Sequence, residues 1–318
     1  MSKKVKRKLW VWICVAVGIA ALTILIIYRY YICQKNIFFT EYEGTYENEH
    51  TTIYKYNSRI NAVIEIGSVQ GKLQDCVING DETYITGIIK DESFEIIRYD
   101  LDTKSIETLE AANKIASLTD NSVIKSKVLL YSGGDKIYVP YRDKNQDEKW
   151  LFYDLNTGQY DIVEGETSMS LTIHNGNMWY IADNGTMCTG TLYQYNLESK
   201  ERNQIMESVS YDSVIMPETG LVAYTKGNSI KEIYLYDIKT QENSCIARGG
   251  WNTYYGDLLW TNSRWSDNGR EFFFVKSFPG LFNESTERLM IYDVLTHRSR
   301  CIYKASMTTN NFQYVMKR

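Results

Sequence analysis

The sequence is short of catalytic signatures. It has no Gly-x-Ser-x-Gly elbow, no phosphate-cradling glycine loop and no His-Glu-x-x-His pair. Its three histidines, His50, His174 and His297, are scattered, and none has a second ligand at helix spacing. They read as surface or turn residues. Basic charge is also scarce outside the N-terminus. Residues 1–35 hold seven basic residues and no acidic one, so residues 36–318 carry 28 basic against 39 acidic, a net −11. A body that acidic repels phosphate backbones, which argues against a nucleic-acid partner and against broad adsorption to anionic lipid. No cofactor motif is present.

What the first residues do contain is an apolar run. Lys3, Lys4, Lys6, Arg7 and Lys8 precede Leu9–Ile27, in which Thr23 is the one polar residue. Nineteen helical residues rise about 28 Å, close to the hydrocarbon thickness of a bilayer. Trp10 and Trp12 at one end and Tyr28, Tyr30 and Tyr31 at the other are placed as interfacial aromatics. A cleaved signal peptide would have a shorter apolar stretch ending in a small-x-small site. Here Ala16, Gly18, Ala20 and Ala21 fall inside the run and bulky Tyr-Arg-Tyr-Tyr follows it. Cys14 follows Trp12 and Ile13, which does not fit a lipoprotein signal. The expectation is a single-pass signal anchor: 1–8 a cytoplasmic basic segment, 9–29 the span, 30–37 a linker and 38–318 an extracytoplasmic domain.

That domain is repetitive. A tyrosine, then Asp or Asn, an aliphatic residue and a polar turn recur at Tyr56 (YKYNSR), Tyr99 (IRYDLDTK), Tyr153 (LFYDLNTG), Tyr195 (YQYNLESK), Tyr236 (YLYDIKTQ) and Tyr292 (MIYDVLTH). The intervals are 43, 54, 42, 41 and 56 residues. A strand and turn repeated every 40–50 residues is the sign of a β-propeller blade. Period-two alternation, as in Tyr234, Tyr236 and Ile238, marks the tyrosine segment as the third of four strands. Asp or Asn then opens the hairpin to a fourth strand, because its side chain bonds backbone N–H groups two residues on. The prediction is an all-β, six-bladed propeller of four-stranded antiparallel blades behind one N-terminal transmembrane helix. Blade one has room for only three strands, Phe38–Glu41, Thr52–Tyr56 and Ala62–Ile66. The leftover C-terminal segment Asn311–Met316 would complete it and close the ring.

In unit six, Trp265-Ser266-Asp267-Asn268-Gly269-Arg270 precedes Phe272-Phe273-Phe274-Val275. This resembles the WSPDGK-then-apolar motif of TolB-like and dipeptidyl-peptidase-type propellers, with Asp267 in place of Pro and Asn268 in place of Asp. The resemblance implies the fold and no particular role.

Six cysteines make no disulfide framework. Cys14 and Cys33 belong to the N-terminal region, leaving Cys76, Cys188, Cys245 and Cys301. Cys245 and Cys301 each follow a repeat tyrosine by nine residues, and matching places in neighbouring blades lie beyond the roughly 7 Å Cα limit for a bridge. They are expected as buried small residues of outer strands.

Two intervals carry a surplus of about a dozen residues. The first falls in Ala112–Lys125, the second in Gly249–Trp260 with the turn Phe278–Glu287. Interblade links and second-to-third-strand turns share one rim of a propeller, and insertions confined to one face usually mark the binding face. Blades three and six stand opposite each other, so these loops are expected as two lips over the channel. Within the second, Trp251, Tyr254 and Tyr255 are the candidate ligand-binding residues, since flat rings with polar edges suit sugars or peptide side chains. The plainer alternative is that they plug the gap between blades; Trp260 and Trp265 are expected in the core. Asp143, Asn145 and Asp147 alternate like calcium ligands, but Glu148 stands where a calcium loop has glycine, which favours a solvated hairpin. The leading functional expectation is a membrane-anchored binding or scaffold module for a protein, peptide or cell-wall glycan. A surface lyase or hydrolase with a carboxylate site at the central channel, and a structural ectodomain of a membrane complex, are the alternatives.

Overall fold

A computed structural model describes residues 3–27, 36–44, 49–58, 60–89, 94–124, 128–186, 189–210, 213–216, 219–226, 232–248, 254–255, 264–265, 271–279, 285–304 and 311–317. The N-terminal basic and apolar residues form one helix, α1 (Lys3–Ile27). Among the described residues no helix is long and apolar enough to cross a membrane. The apolar run of the sequence, Leu9–Ile27, lies within α1. The expected span is therefore a helix in the structure, and its membrane role is taken up below as a proposal.

The rest is six blades. Blade one contributes β1 (Asn36–Glu43), β2 (His50–Asn57) and β3 (Ala62–Gln70). Blade two is β4 (Leu73–Ile78), β5 (Tyr84–Ile89), β6 (Glu95–Asp100) and β7 (Ile106–Thr108). A helix, α2 (Ala111–Leu118), leads into blade three: β8 (Leu129–Tyr131), β9 (Lys136–Arg142), β10 (Glu148–Asp154) and β11 (Tyr160–Glu164). Blade four is β12 (Ser168–His174), β13 (Asn177–Thr186), β14 (Thr189–Asn196) and β15 (Arg202–Ser210). Blade five is β16 (Ser213–Met216), β17 (Leu221–Lys226), β18 (Glu232–Asp237) and β19 (Asn243–Arg248). Blade six has its inner strand in two pieces, β20 (Tyr254–Tyr255) and β21 (Arg264–Trp265), followed by β22 (Glu271–Pro279), β23 (Ser285–Asp293) and β24 (Arg298–Lys304). The last strand, β25 (Asn311–Lys317), returns to blade one as its inner strand. It pairs antiparallel with β1 from Phe38↔Val315 to Tyr42↔Asn311 and then touches β4 in parallel at Met316↔Val77. All six repeat tyrosines lie on third strands, as their spacing predicts.

The Asp/Asn turns are alike because one side-chain oxygen satisfies two backbone donors. Oδ1 of Asp100, Asp154, Asn196, Asp237 and Asp293 each accepts the N–H groups two and three residues on, at 2.7–3.1 Å. At Asp100, the Thr103 donors and the Asp102 N–H hold the carboxyl below its ordinary range. At Asp154 burial pushes the other way, yet the Thr157 and Asn156 groups still leave it lowered.

A second regularity escaped the sequence reading. In blades one, four, five and six the register between third and fourth strands slips three to two residues before the repeat tyrosine. The extra residue on the fourth strand is Ile66, Ile205, Ile246 or Ile302, and each packs against a core cluster. A bulge there twists the outer strand and breaks the edge that would otherwise pair with another chain. It also explains the cysteines. Cys245 and Cys301 flank the bulged isoleucine, and each thiol faces the carbonyl two residues on, at 3.6 and 3.3 Å. Cys245 is half-buried and Cys301 exposed, which corrects the expectation of burial; an outer strand has no further blade covering its far side. Cys33 and Cys188 lie outside the described residues.

Packing lies between blades. Blade six and blade one meet through Ile37, Phe39, Tyr56, Phe273, Leu289 and Ile291, all 2% exposed or less. A fully buried side chain of this size contributes about 1.5–3 kcal/mol. Polar links cross the seams as well: Leu130 N–H donates to the buried Asp75 carboxylate, and Tyr99 Oη donates to the Ile66 carbonyl at 3.3 Å. A Cβ on Gly67 would lie 1.8 Å from that same hydroxyl, which is why this position is glycine.

Two outcomes follow. Deleting Asn311–Arg318 opens the ring, so the whole domain should melt several degrees lower in a calorimetric scan, not fray at one end; a melting temperature within a degree or two of the parent would refute closure by β25. Asp154→Ala should cost about 1 kcal/mol in chemical denaturation, while Asp154→Asn, which keeps the acceptor as Asn196 does, should cost less. A carboxyl with a lowered folded-state pKa stabilises above its unfolded value and loses that contribution as pH falls through the folded one. Between about pH 4 and pH 2 the parent should therefore lose more stability than Asp154→Asn, and equal acid losses would contradict the turn's role.

Candidate functional site

The rim carrying interblade links and second-to-third-strand turns is where a binding face was expected, and the structure treats its two lips differently. At blade three the surplus residues do not form a free loop. Ala112 and Ile115 of α2 are buried among Val77, Ile88, Leu151 and Tyr153, so the insertion is a wedge between blades two and three. The apolar spacing of Ala112 and Ile115 was the available signal. After α2, Ser122 Oγ donates to the Arg142 carbonyl at the end of β9, Arg142 N–H donates to the Ser122 carbonyl at 3.4 Å, and Ile124 N–H bonds the Pro140 carbonyl at 2.8 Å. The link and the Asp143–Asp147 turn thus do share a rim. Beside the start of α2, Leu109, Glu110, Ala111, Lys114, Tyr153 and Leu155 line an open cleft of about 310 Å³.

The turn itself is a hairpin held by Asp143. Its Oδ1 accepts from Asn145 N–H at 2.8 Å and Asp147 N–H at 3.0 Å, and its Oδ2 faces Lys149 Nζ at 3.8 Å. Those contacts commit the carboxylate that a calcium ion would need. Among the described residues no group of three His, Cys, Asp or Glu is placed to hold a metal ion. Two histidines sit as surface and turn residues do, His50 with Nε2 3.6 Å from Glu43 and His297 with Nδ1 3.0 Å from Tyr292 Oη, whereas His174 is half-buried in β12 with its Nε2 out of solvent.

At blade six, Tyr254 and Tyr255 form β20, paired with Ser277 and Lys276 at the end of β22. They therefore belong to the innermost strand, beside the channel. Trp251 and Trp260 lie outside the described residues; Trp265 is in β21, opposite Phe272. The β22–β23 turn is a long hairpin, paired out to Pro279↔Ser285.

The clearest constellation is one the sequence reading missed. In blades one, four and five the rung two residues before the repeat tyrosine is an aromatic pair across the second and third strands: Phe39 with Tyr54, Tyr180 with Tyr193, and Tyr224 with Tyr234. The rings stack at centroid separations of 5.2, 5.8 and 5.6 Å. Each pair is attended by a carboxylate. Tyr303 donates to Glu41 at 2.7 Å, Tyr180 donates to Glu166, and Tyr234 donates to Glu232 at 2.7 Å. Burial, together with these carboxylates, raises the tyrosines of the first two clusters, and the Glu232 hydrogen bond pushes Tyr234 up to about 12. They remain protonated donors at neutral pH. Arg202 completes the blade-four cluster, 2.9 Å from Glu166 and 3.5 Å from the Tyr193 ring centre. Tyr54, Tyr193 and Tyr234 were visible as tyrosines at a fixed offset from the repeat; Glu41, an acid within an apolar strand and 1% exposed, was the other signal.

No protein-family model matches the sequence, and no curated protein matches it. Solved structures do. TolB from Acinetobacter baumannii superposes with a TM-score of 0.59 at 12% identity, over 89% of this chain and 67% of that one. A putative TolB from Agrobacterium tumefaciens gives 0.56 at 9% identity, over 89% of this chain and 99% of that one. The acylaminoacyl peptidase of Pyrococcus horikoshii gives 0.51 at 11% identity, over 84% of this chain and 44% of that one. At such identities the likeness is one of fold: a six-bladed propeller like those of TolB structures and of a peptidase.

Proposed function

We propose that this protein is a membrane-anchored, extracytoplasmic β-propeller that acts as a binding or scaffold module for a protein, peptide or cell-wall glycan. The observation that carries the reading is α1. Its described large apolar residues, from Trp10 and Trp12 through Ile24, Leu25 and Ile26, are 44–71% exposed. A contiguous apolar surface of that kind marks an interaction with another apolar phase or partner. The five basic residues in its first turns and the bulky aromatics at both ends fit a bilayer with the N-terminus inside. The propeller's net −11 keeps it off the anionic surface to which it would be tethered. Trp251, Tyr254 and Tyr255 are proposed as the ligand contacts, the two tyrosines from their place on β20 of blade six.

A tag at the C-terminus should be cut by protease added outside intact cells or spheroplasts, while one at the N-terminus is protected. Release of a soluble product shortened by about 25 residues would show a cleaved signal instead and end the anchor reading.

For the rim, Trp251→Ala separates two roles in one pair of measurements. A central binding anchor should lose about 2 kcal/mol or more in partner capture with melting unchanged. A core plug should instead lose about 3–5 kcal/mol of fold stability, and that result would withdraw Trp251 from the site.

A further inference from the structure

Five of the six outer strands are protected against pairing with a further strand. β3, β15, β19 and β24 each slip in register against the third strand of their blade, and β7 is three residues long. Bulges and short edge strands are the usual guards of a sheet edge. The exception is β11. It pairs with β10 over five consecutive rungs, from Lys149↔Glu164 to Tyr153↔Tyr160, with no slip. It ends its sheet, and among the described residues no strand pairs with its outer side. The stretches around it, 105–118 and 154–167, all belong to the described residues.

Which backbone groups of β11 face outward follows from the two ends of its ladder. Asp154 N–H donates to the Gln159 carbonyl at 2.8 Å, and Gly165 N–H to the Glu148 carbonyl at 2.9 Å. Bonded and non-bonded pairs alternate along an antiparallel ladder, so Asp161 and Val163 turn their backbone groups to β10. Tyr160, Ile162 and Glu164 turn theirs outward, a row of alternating donors and acceptors. The side chains of these three share a face with Tyr153, Leu151 and Lys149. Leu151 and Tyr153 pack there against Ala112 and Ile115 of α2, so the face looks toward that helix. On it, Tyr160 and Ile162 are 50% and 40% exposed. Tyr160 stacks on Tyr153 at 6.5 Å, and Tyr153 is one wall of the open cleft with Leu109, Ala111 and Leu155. An apolar trough thus adjoins the outer edge of β11.

We infer that β11 is a docking edge, to which a partner protein adds one extended strand hydrogen-bonded to the backbone of Tyr160, Ile162 and Glu164. Backbone donors and acceptors at strand spacing are satisfied together by another strand, and alternate side chains of that strand supply the specificity. Those on the α2 side are apolar and lie against Tyr160, Ile162 and the cleft. The side chains between them are basic, because the propeller carries a net −11. The same charge disfavours a second copy of this chain, which would bring another −11 to the contact. The inference rests on the binding-module reading and deepens it, by giving the partner a β-strand as its form and an apolar-basic alternation as its chemistry. It uses neither the rim residues of blade six nor the N-terminal helix.

The test uses the full chain in detergent and a short fluorescein-labelled peptide of alternating valine and lysine, followed by fluorescence anisotropy. The peptide should bind saturably. The same residues in two blocks, lysines then valines, should bind about tenfold more weakly. Two further versions carry N-methyl groups on every valine amide or on every lysine amide. Only one edge of the guest strand faces β11, so one version should lose about tenfold or more in affinity and the other should bind like the parent peptide. Ile162→Pro removes an outward N–H and no bond to β10, the setting in which an edge strand tolerates proline. It should weaken the unmethylated peptide about tenfold, with the melting temperature within a few degrees of the parent. Should that variant melt low, the methylated peptides on the parent chain decide the matter. No saturable binding, equal binding of the block peptide, or equal effects of the two methylations would overturn the proposal. So would full affinity in a folded Ile162→Pro chain, or a dimer in sedimentation that this variant dissociates, since the edge would then belong to a second copy. The protease-protection and Trp251 results do not depend on β11, so the two readings fall separately.

Discussion

The antiparallel pairing of Phe38–Tyr42 with Asn311–Val315 is the constraint on which the rest of this molecule depends. A propeller blade buries both faces against its neighbours, so a ring with one unfinished blade exposes two packing faces and two strand edges at once. Here the finishing strand comes from the opposite end of the chain. Folding of blade one cannot be completed until blade six has formed, a contact of very long sequence separation whose loop-closure cost is met only at the end. The seam beside it is correspondingly well furnished: Tyr303 on Glu41, Arg300 on Tyr56 and Glu271, and the apolar cluster around Phe39.

Buried polar groups recur at these seams, and they do different work from the apolar layers. Apolar contacts between blades are non-directional and would tolerate sliding. A carboxylate such as Asp75 on the Leu130 N–H, or Glu41 on Tyr303, is costly to bury without its partner and so selects one docking of blade on blade.

How much of this was legible in the sequence follows from what repeats. The tyrosine and its Asp/Asn turn recur at constant chemistry because each copy meets the same local geometry, so blade number, third-strand placement and ring closure could be read directly. The bulged isoleucines recur too, but an isoleucine in a fourth strand looks like ordinary core, and only register reveals the slip. Cys245 and Cys301 were misplaced for that reason: their even spacing was correctly seen, while the side of the bulge on which they fall was not. The surplus at Ala112–Lys125 was counted as loop because length alone cannot distinguish a lip from a short helix; the apolar spacing of Ala112 and Ile115 decides it. Trp251, the residue favoured from composition, lies outside the described residues, so it stays a proposal.

The aromatic pairs emerge from comparison within the chain and not from motif recognition. No residue of the blade-five cluster is unusual for a propeller, and a tyrosine pair alone is more often packing than recognition. In two of the three equivalent rungs the neighbouring blade supplies a third ring, Tyr303 over Phe39 and Tyr54 and Trp150 against Tyr180. A repeat protein builds the same surface several times and can leave one copy for a partner, because its stability is distributed over the other seams. Function on such a scaffold is then expected where the repeat is incomplete, at the rim of blade six where the inner strand is split.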